Sequence, residues 1–206
     1  MTTQLAPKPA DEAALIARVL AGSRQDFEAI VRRHNQRLFR AARAVLRSDS
    51  DAEDAVQQAW LDIYRNLGSF RGDAAFSTWA TRITVNAALL QARKRPVLTE
   101  AEAVEVGAGP DVELERAEIG RVLESCLAQL PQGNREVMVL RDVLELDTAE
   151  TAACLGLSEE AVRVRLHRAR AAVAAALTEL TLDHVYAFDG ERCDRVTCKV
   201  MAALPR

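Results

Sequence analysis

The stretch DTAETAACLGLSEEAVRVRLHRAR, residues 147–170, predicts two short helices separated by a glycine turn. Asp147 can cap the first helix, Glu150 stands three residues on where a capping box needs it, and Gly156 suits the left-handed residue that ends the helix. Ser158 then opens the second helix. Two helices joined in this way are typical of a helix-turn-helix, in which the second helix enters the major groove of DNA.

The second of these helices has one apolar side and one basic side. At 100° per residue, Val162, Leu166 and Ala169 form a single stripe that must face a core. Four arginines lie within eight positions on the rest of the helix. The candidate DNA contacts are therefore Arg163, Val164, Arg165, His167, Arg168 and Arg170. The alternative interpretation is a basic surface helix that binds only water.

The composition of the whole chain predicts an all-α protein. Its 206 residues suit two small helical domains, aromatic residues make up only 4%, and there are nine glycines. No apolar run approaches the roughly 18 residues that a membrane span requires. The N-terminus has neither the basic start nor the apolar core of a signal peptide. We expect a cytoplasmic protein without membrane insertion.

The formal net charge of −3 conceals a strong segregation of charge along the chain. Residues 1–96 carry a net +5, residues 97–118 a net −6, and residues 119–206 a net −2. The acid is thus concentrated in a segment that also holds glycines and a proline, which indicates a linker. Local charge, rather than the total, would steer DNA to the basic faces.

Composition and periodicity divide the chain into five parts. These are a disordered arm (1–12), a helical domain (13–96), a flexible acidic linker (97–118), a second helical domain containing the helix-turn-helix (119–180) and a tail (181–206). The tail includes a predicted helix from Cys193 to Leu204. Its role stays open at this point.

In the first domain, the helix SDAEDAVQQAWLDIYRNL, residues 50–67, has an unusual exposed flank. We expect Asp49 or Asp51 to cap this helix. Its acidic first turn, which includes Asp51, suits the positive end of the helix dipole. The flank then mixes acid, amide and leucine where a solvated face would mix lysine and glutamate. It consists of Asp54, Gln57, Gln58, Leu61 and Asp62. This pattern favours a protein-binding face.

The segment GSFRGDAAFSTW, residues 68–79, crowds aromatic and charged residues between two helices. Exposed aromatic rings beside an arginine could hold an unstacked base. The alternative is that these rings are simply the core beneath a loop, and we expect Trp79 to be mostly buried. The candidates for contact with nucleic acid here and on the next helix are Phe70, Arg71, Asp73, Phe76, Arg82 and Asn86.

The four cysteines give no strong sign of a metal or redox site. Cys126 and Cys154 lie at apolar-periodic positions and are expected to be small buried hydrophobic residues. Cys193 and Cys198 have four residues between them, a spacing that matches no zinc pattern well. We predict no metal and no cofactor. A thiol enzyme that uses Cys193 or Cys198 is one hypothesis for the function, but no partnered base accompanies either cysteine.

Three motifs follow one another in the chain: DAEDAVQ (51–57), FRGDAAFSTW (70–79) and VRVRLHRAR (162–170). With the acidic linker before the last of them, they resemble the extracytoplasmic-function class of bacterial RNA polymerase sigma factors. The resemblance covers roughly residues 14–180. The first half looks like region two of that family and the second half like region four.

The resemblance implies an initiation factor that performs no covalent chemistry, with a role in the stress response. Its partners would be core RNA polymerase, promoter DNA and an anti-sigma protein. Asp51, Asp54, Gln57 and their neighbours would dock on the polymerase clamp helices. The loop at 70–76 with Asn86 would capture the melted proximal promoter element. The basic helix would read the upstream element, and the linker would fill the RNA-exit path.

The sequence departs from the family pattern at three positions. Gln58 and Trp60 stand where relatives often have an acidic residue and a phenylalanine. Val164 replaces a small or polar residue, which predicts an apolar contact with a thymine methyl group. The alternative to a sigma factor is a stand-alone helix-turn-helix regulator, which would bind duplex DNA without polymerase.

Overall fold

The computed structural model describes residues 9–94, 112–176 and 190–204, and within these ranges it contains helices and no strand. The prediction of an all-α fold is confirmed. The helices are α1 (Pro9–Leu20), α2 (Arg24–Val45), α3 (Asp49–Asn66), α4 (Phe76–Lys94), α5 (Val112–Gln129), α6 (Gln132–Met138), α7 (Thr148–Leu155), α8 (Glu159–Ala176) and α9 (Gly190–Ala203), with a 3-10 turn at Leu67–Ser69 and a π-helical turn at Val139–Val143. None of the helices described is both long and apolar enough to cross a membrane.

Serine side chains start the long helices of the first domain. The Oγ of Ser23 accepts a hydrogen bond from the backbone N–H of Asp26 at the start of α2. At the start of α3, Ser48 accepts one from the N–H of Asp51. The sequence had suggested Asp49 or Asp51 as this cap. Ser48 takes the position instead, which leaves both aspartates in the first turn, where the helix dipole stabilises them.

The core of the first domain lies among α2, α3 and α4. Phe27 and Trp60 are fully buried, with their ring centroids 5.8 Å apart in an edge-on arrangement. The indole N–H of Trp60 donates to Oδ1 of the buried Asn35, 2.7 Å away. This hydrogen bond satisfies the polar end of a large ring inside an apolar core.

The second domain is built as the sequence predicted. Asp147 and Glu150 form a reciprocal capping box at the start of α7, and Gly156 ends that helix with a left-handed φ of 64°. Val162 and Leu166 of α8 pack with Val137 of α6 and with Ala152 of α7. The glycine turn thereby holds α7 and α8 around a small core of their own.

Direct contacts join the two domains. The guanidinium of Arg135 is buried and donates from Nε to the carbonyl of Ala44 at 2.8 Å. Arg37 donates to the carbonyl of Leu144 at 2.6 Å. Burial lowers the pKa of Arg37 from its ordinary value, against the opposing effect of nearby Glu150. The regions predicted as separate modules therefore pack on each other in this structure.

The predicted boundaries need two adjustments. Helix α1 begins at Pro9, so residues 9–12 of the predicted arm are helical, and residues 1–8 lie outside the described part. Glu12 accepts a hydrogen bond from Nε2 of His34 in α2 at 2.6 Å, and this bond lowers the pKa of the Glu12 carboxyl. Helix α5 begins at Val112, inside the predicted linker, whose other residues up to 111 are not described. In the tail, the predicted helix is confirmed as α9.

Candidate functional site

The outer face of α8 presents four of the predicted DNA contacts. Arg163, Val164, His167 and Arg168 are exposed, whereas the stripe at Val162, Leu166 and Ala169 is buried. Val164 is 43% exposed, so its apolar side chain is accessible to a ligand. Arg163 forms an exposed ion pair with Glu159 one turn earlier, and such a pair is readily exchanged for another anion. The face is thus basic with one apolar side chain in it.

The other two arginines of α8 turn toward their own domain. Arg170 makes two hydrogen bonds to Asp142, at 2.8 and 2.6 Å, and these raise its pKa. The guanidinium of Arg165 lies over the start of α6, so close to Gly133 that a Cβ there would be 2.5 Å from Nη1. This placement gives Arg165 and Arg170 a positioning role, but the Arg170 side chain is still 58% exposed, so the DNA contacts of both arginines remain predictions. Both arginines fix how α8 sits on α6 and on the turn before α7.

The loop before α4 is half core and half surface. Arg71 and Asp73 are exposed, and Phe70 is half-buried with its ring 5.3 Å from that of Trp79. Phe76 is only 2% exposed and packs edge-on against His34 and Phe70. Phe76 therefore has no ring face for a base, and the prediction that it contacts nucleic acid is corrected to a core role. Trp79 is half-buried, a little more accessible than expected.

Helix α4 carries the remaining predicted contacts with nucleic acid. Arg82 and Asn86 are exposed along it. Arg82 also lies near enough to α7 for its charge to act on the thiol of Cys154, whose pKa burial nevertheless raises to about 11. One turn before Arg82, Thr78 donates to Glu150 of α7 at 3.0 Å. The exposed residues of α4 thus border the contact between the two domains.

The flank of α3, predicted to be exposed, is partly accessible. Asp54 and Gln58 are exposed, while Asp51, Gln57 and Leu61 are half-buried. Gln58 donates to Asp62 one turn later at 3.0 Å. Carboxylates, amides and one leucine thus lie together on one side of a rigid helix.

Some residues with a clear structural role carry no signal in the sequence. Arg37 and Arg135 join the two domains, and Arg192 and Arg195 of α9 pair with carboxylates of α3. Their partners are far away in the chain, so periodicity alone could not reveal them. In the described ranges, no group of three or more His, Cys, Asp or Glu side chains could hold a metal ion.

Two family models match the chain. The model "Sigma-70 region 2" matches residues 30–96, which contain α3, the loop and α4. The model "Sigma-70, region 4" matches residues 120–173, which contain the helix-turn-helix. Both regions therefore occur in this chain, in the order in which the motifs suggested them.

Curated relatives match over most of their own length. The chain is 38% identical over 166 residues to the ECF RNA polymerase sigma factor SigM of Mycobacterium tuberculosis, covering 81% of this chain and 84% of that one. It is 32% identical over 173 residues to the ECF RNA polymerase sigma-E factor of Escherichia coli, covering 77% of this chain and 90% of the relative.

Solved structures agree with these matches. CnrH, in complex with the cytosolic domain of CnrY, superposes with a TM-score of 0.56 at 32% identity, over 80% of this chain and 96% of CnrH. The sigma factor RpoE of Bartonella quintana, in complex with the anti-sigma factor NepR, has the same TM-score at 22% identity, over 68% of this chain and 89% of that one. The second likeness supports the fold alone.

Proposed function

The chain belongs to the extracytoplasmic-function class of RNA polymerase sigma factors, and we propose how its two regions share the work of initiation. It is an alternative sigma factor that directs polymerase to specific promoters. The main observation behind this proposal is that two rigid helices present different exposed faces, an acidic one on α3 for polymerase and a basic one on α8 for DNA. Region two below means residues 13–96, and region four means residues 119–180.

The flank of α3 docks on the core polymerase. Asp54 and Gln58 supply exposed polar groups. Leu61, which packs at the edge of the hydrophobic core, adds an apolar group beside them. A face of this kind suits a partner surface that carries basic and apolar groups together. Asp51 and Gln57, both half-buried, complete the docking flank, which therefore consists of Asp51, Asp54, Gln57, Gln58 and Leu61.

The outer face of α8 reads the upstream promoter element. Arg163 and Arg168 can donate two hydrogen bonds to a guanine edge, and Val164 can contact a thymine methyl group. His167 lies on the same exposed face. Arg165 and Arg170 support this reading indirectly, because they hold α8 in place on α6 and on Asp142.

The loop before α4 and the start of α4 capture melted bases of the proximal element. Phe70 offers a partly accessible ring, and Arg71 and Asp73 offer exposed charged groups around it. Phe76 supports Phe70 from beneath, edge-on at 5.6 Å. Arg82 and Asn86 extend the polar surface along the helix toward the next nucleotides.

The protein performs no covalent chemistry, because RNA synthesis belongs to the polymerase that it recruits. It acts in the cytoplasm, where polymerase and promoter DNA are found. An anti-sigma protein is a further partner, a proposal supported by CnrH, which is 32% identical to this chain and is in complex with the cytosolic domain of CnrY.

Run-off transcription with purified core polymerase on genomic fragments tests this function. We expect discrete transcripts only when the protein is added, and start sites that share an upstream and a proximal element. The same protein without polymerase should bind those promoter duplexes weakly in a gel-shift assay, because its two regions pack on each other in the free protein and a partner must hold them at the separation that the two promoter elements require. Tight specific binding without polymerase, together with no transcripts, would instead favour a stand-alone regulator.

A further inference from the structure

Helix α9 lies in a groove between α2 and α3, although both helices precede it by more than a hundred positions in the sequence. Its apolar side chains Val196 and Val200 are 1% and 0% exposed, and Leu204, directly after the helix, is 5% exposed. Met201 and Cys193 pack at the edge of the same core. The C-terminal helix is therefore amphipathic, with its apolar side covered by region two.

Asn35 ties α9 to the centre of region two. Its side chain is fully buried, and Nδ2 donates to Oγ1 of Thr197 at 3.2 Å and to the carbonyl of Cys193 at 3.4 Å. Its Oδ1 accepts from the indole of Trp60 in α3. One amide thus links α2, α3 and α9, which gives the docked helix a defined register.

Ion pairs surround this apolar contact, and α9 supplies the cation in some of them and the anion in another. Arg192 pairs with Asp49 at 2.6 Å and Arg195 with Glu53 at 3.1 Å, both on α3. On the other side, Asp194 pairs with Arg32 of α2 at 2.5 Å. The charges of α9 therefore complement those of the two helices separately.

The groove adjoins the proposed polymerase-docking flank. Glu53, the partner of Arg195, stands directly before Asp54 in the chain and one helical turn before Gln57. A polymerase element that covered Asp54 and Gln57 would reach Glu53 and the edge of α9. That element would then meet the positive charge of Arg195. If α9 were absent, α3 would instead offer it the free carboxylate of Glu53.

We propose that the groove between α2 and α3 is part of the polymerase-docking surface and that α9 occupies it in the free protein. Core polymerase then displaces α9 as it docks. The inference rests on the proposed function, since it takes α3 as the docking helix. The apparent affinity for polymerase is reduced by the fraction of molecules in which α9 is docked. Polymerase must therefore gain more binding free energy in the groove than α9 does, and α9 is held there by the burial of Val196 and Val200 as well as by ion pairs that are individually weak.

The first test uses single substitutions in the full-length chain. Arg195→Glu places a carboxylate beside Glu53, and we expect the Kd for purified core polymerase to fall about threefold, the effect of an exposed ion pair. Lys199→Glu is the matched control. It makes the same charge change on the same helix, and Lys199 is exposed without an ion pair to any residue that the structure describes. The control should leave the Kd unchanged.

Val200→Asp gives a stronger and independent test. A carboxyl group at this fully buried position should undock α9, seen as faster hydrogen exchange of its amides, and lower the Kd for polymerase about tenfold. Faster exchange with an unchanged or higher Kd would overturn the inference, leaving α9 as a structural part of region two. An unaltered chain that fails to bind polymerase would overturn the proposed function itself. If Val200→Asp does not fold, the Kd values of Arg195→Glu and Lys199→Glu for core polymerase are compared instead. Equal values would overturn the inference that α9 competes with polymerase for the groove.

Discussion

Thr78 of α4 donates a hydrogen bond to Oε1 of Glu150 at 3.0 Å, while Oε2 of the same carboxylate accepts from the backbone N–H of Asp147 at 2.8 Å. One side chain therefore closes the capping box of α7 and also joins region four to region two. The start of the helix-turn-helix and the contact between regions are coupled through a single residue.

This coupling is measurable by a double-mutant cycle. Glu150→Ala should lower the free energy of unfolding by about 1–2 kcal/mol, because it removes one half of the cap and the bond to Thr78. Thr78→Val should cost about 0.5–1 kcal/mol alone and nothing further in the Glu150→Ala background. Urea denaturation followed by circular dichroism gives the values. Ser77→Ala, one position away, is the control, and full additivity of Thr78→Val with Glu150→Ala would show that the bond contributes nothing.

Arg135 should contribute to stability through its buried donor. Arg135→Met keeps an unbranched chain but leaves the Ala44 carbonyl without this donor, at a cost of about 1–3 kcal/mol. Arg121→Met, on an exposed position of α5, is the matched control and should cost less than about 0.5 kcal/mol. Thermal unfolding of both variants checks the difference. Equal melting temperatures would mean that the packing of α6 on α2 does not depend on this guanidinium.

Local patterns predicted the helix-turn-helix closely, because its determinants are neighbours in the sequence. The cap at Asp147, the left-handed turn at Gly156 and the buried stripe at Val162 and Leu166 each depend on residues within one or two helical turns. The start of α3 was harder to place. Ser48, Asp49 and Asp51 are all good caps, and only the observed hydrogen bond selects Ser48.

Positions that depend on distant contacts could not be predicted in this way. Phe76 looks the same in the sequence whether it faces a base or a core, and its burial follows from the place of His34 on α2. Arg135 and Ala44 are separated by 91 positions, and Arg37 and Leu144 by 107. No periodicity links such pairs. The direction of Arg170 similarly depends on Asp142, which precedes α7.

Arg168 and Arg170 should behave differently when altered. Arg168→Ala removes an exposed donor from α8 and should cost about 1–3 kcal/mol of promoter binding by the polymerase holoenzyme, with loss of preference at one upstream base. Arg170→Ala should lower protein stability by less than about 1 kcal/mol, because its ion pair with Asp142 leaves the side chain 58% exposed, and it should weaken promoter binding less than Arg168→Ala, because Asp142 already engages the guanidinium. Transcription from promoters randomised in the upstream element distinguishes the two. A uniform weakening on all sequences would assign Arg168 to a phosphate instead.

Asp54 should matter for polymerase and not for folding. Asp54→Ala removes an exposed carboxylate from the docking flank, so we expect weaker binding to core polymerase at an unchanged melting temperature. Glu160→Ala, an exposed carboxylate in region four, is the control. Fluorescence anisotropy of labelled protein titrated with core polymerase measures both. Equal affinities for the two variants would remove Asp54 from the interface.

Cys154 should make stability depend on pH in the alkaline range. Burial raises the pKa of its thiol from an ordinary value of 9.0 to about 11. Below pH 9 the thiol is protonated in both folded and unfolded chains, so its contribution is fully present. Between pH 9 and 11 the unfolded chain loses this proton first, and stability falls by about 2–3 kcal/mol.

Comparison with Cys154→Ala isolates this contribution, since all other groups titrate in both proteins. Urea denaturation at a series of pH values from 8 to 11 should show the unaltered protein losing stability more steeply than the variant. At pH 8, iodoacetamide should label the exposed Cys198 quickly and Cys154 only after unfolding. Parallel stability curves for the two proteins would mean that the Cys154 thiol keeps its ordinary pKa, and that water reaches the site between α7 and the rest of the core.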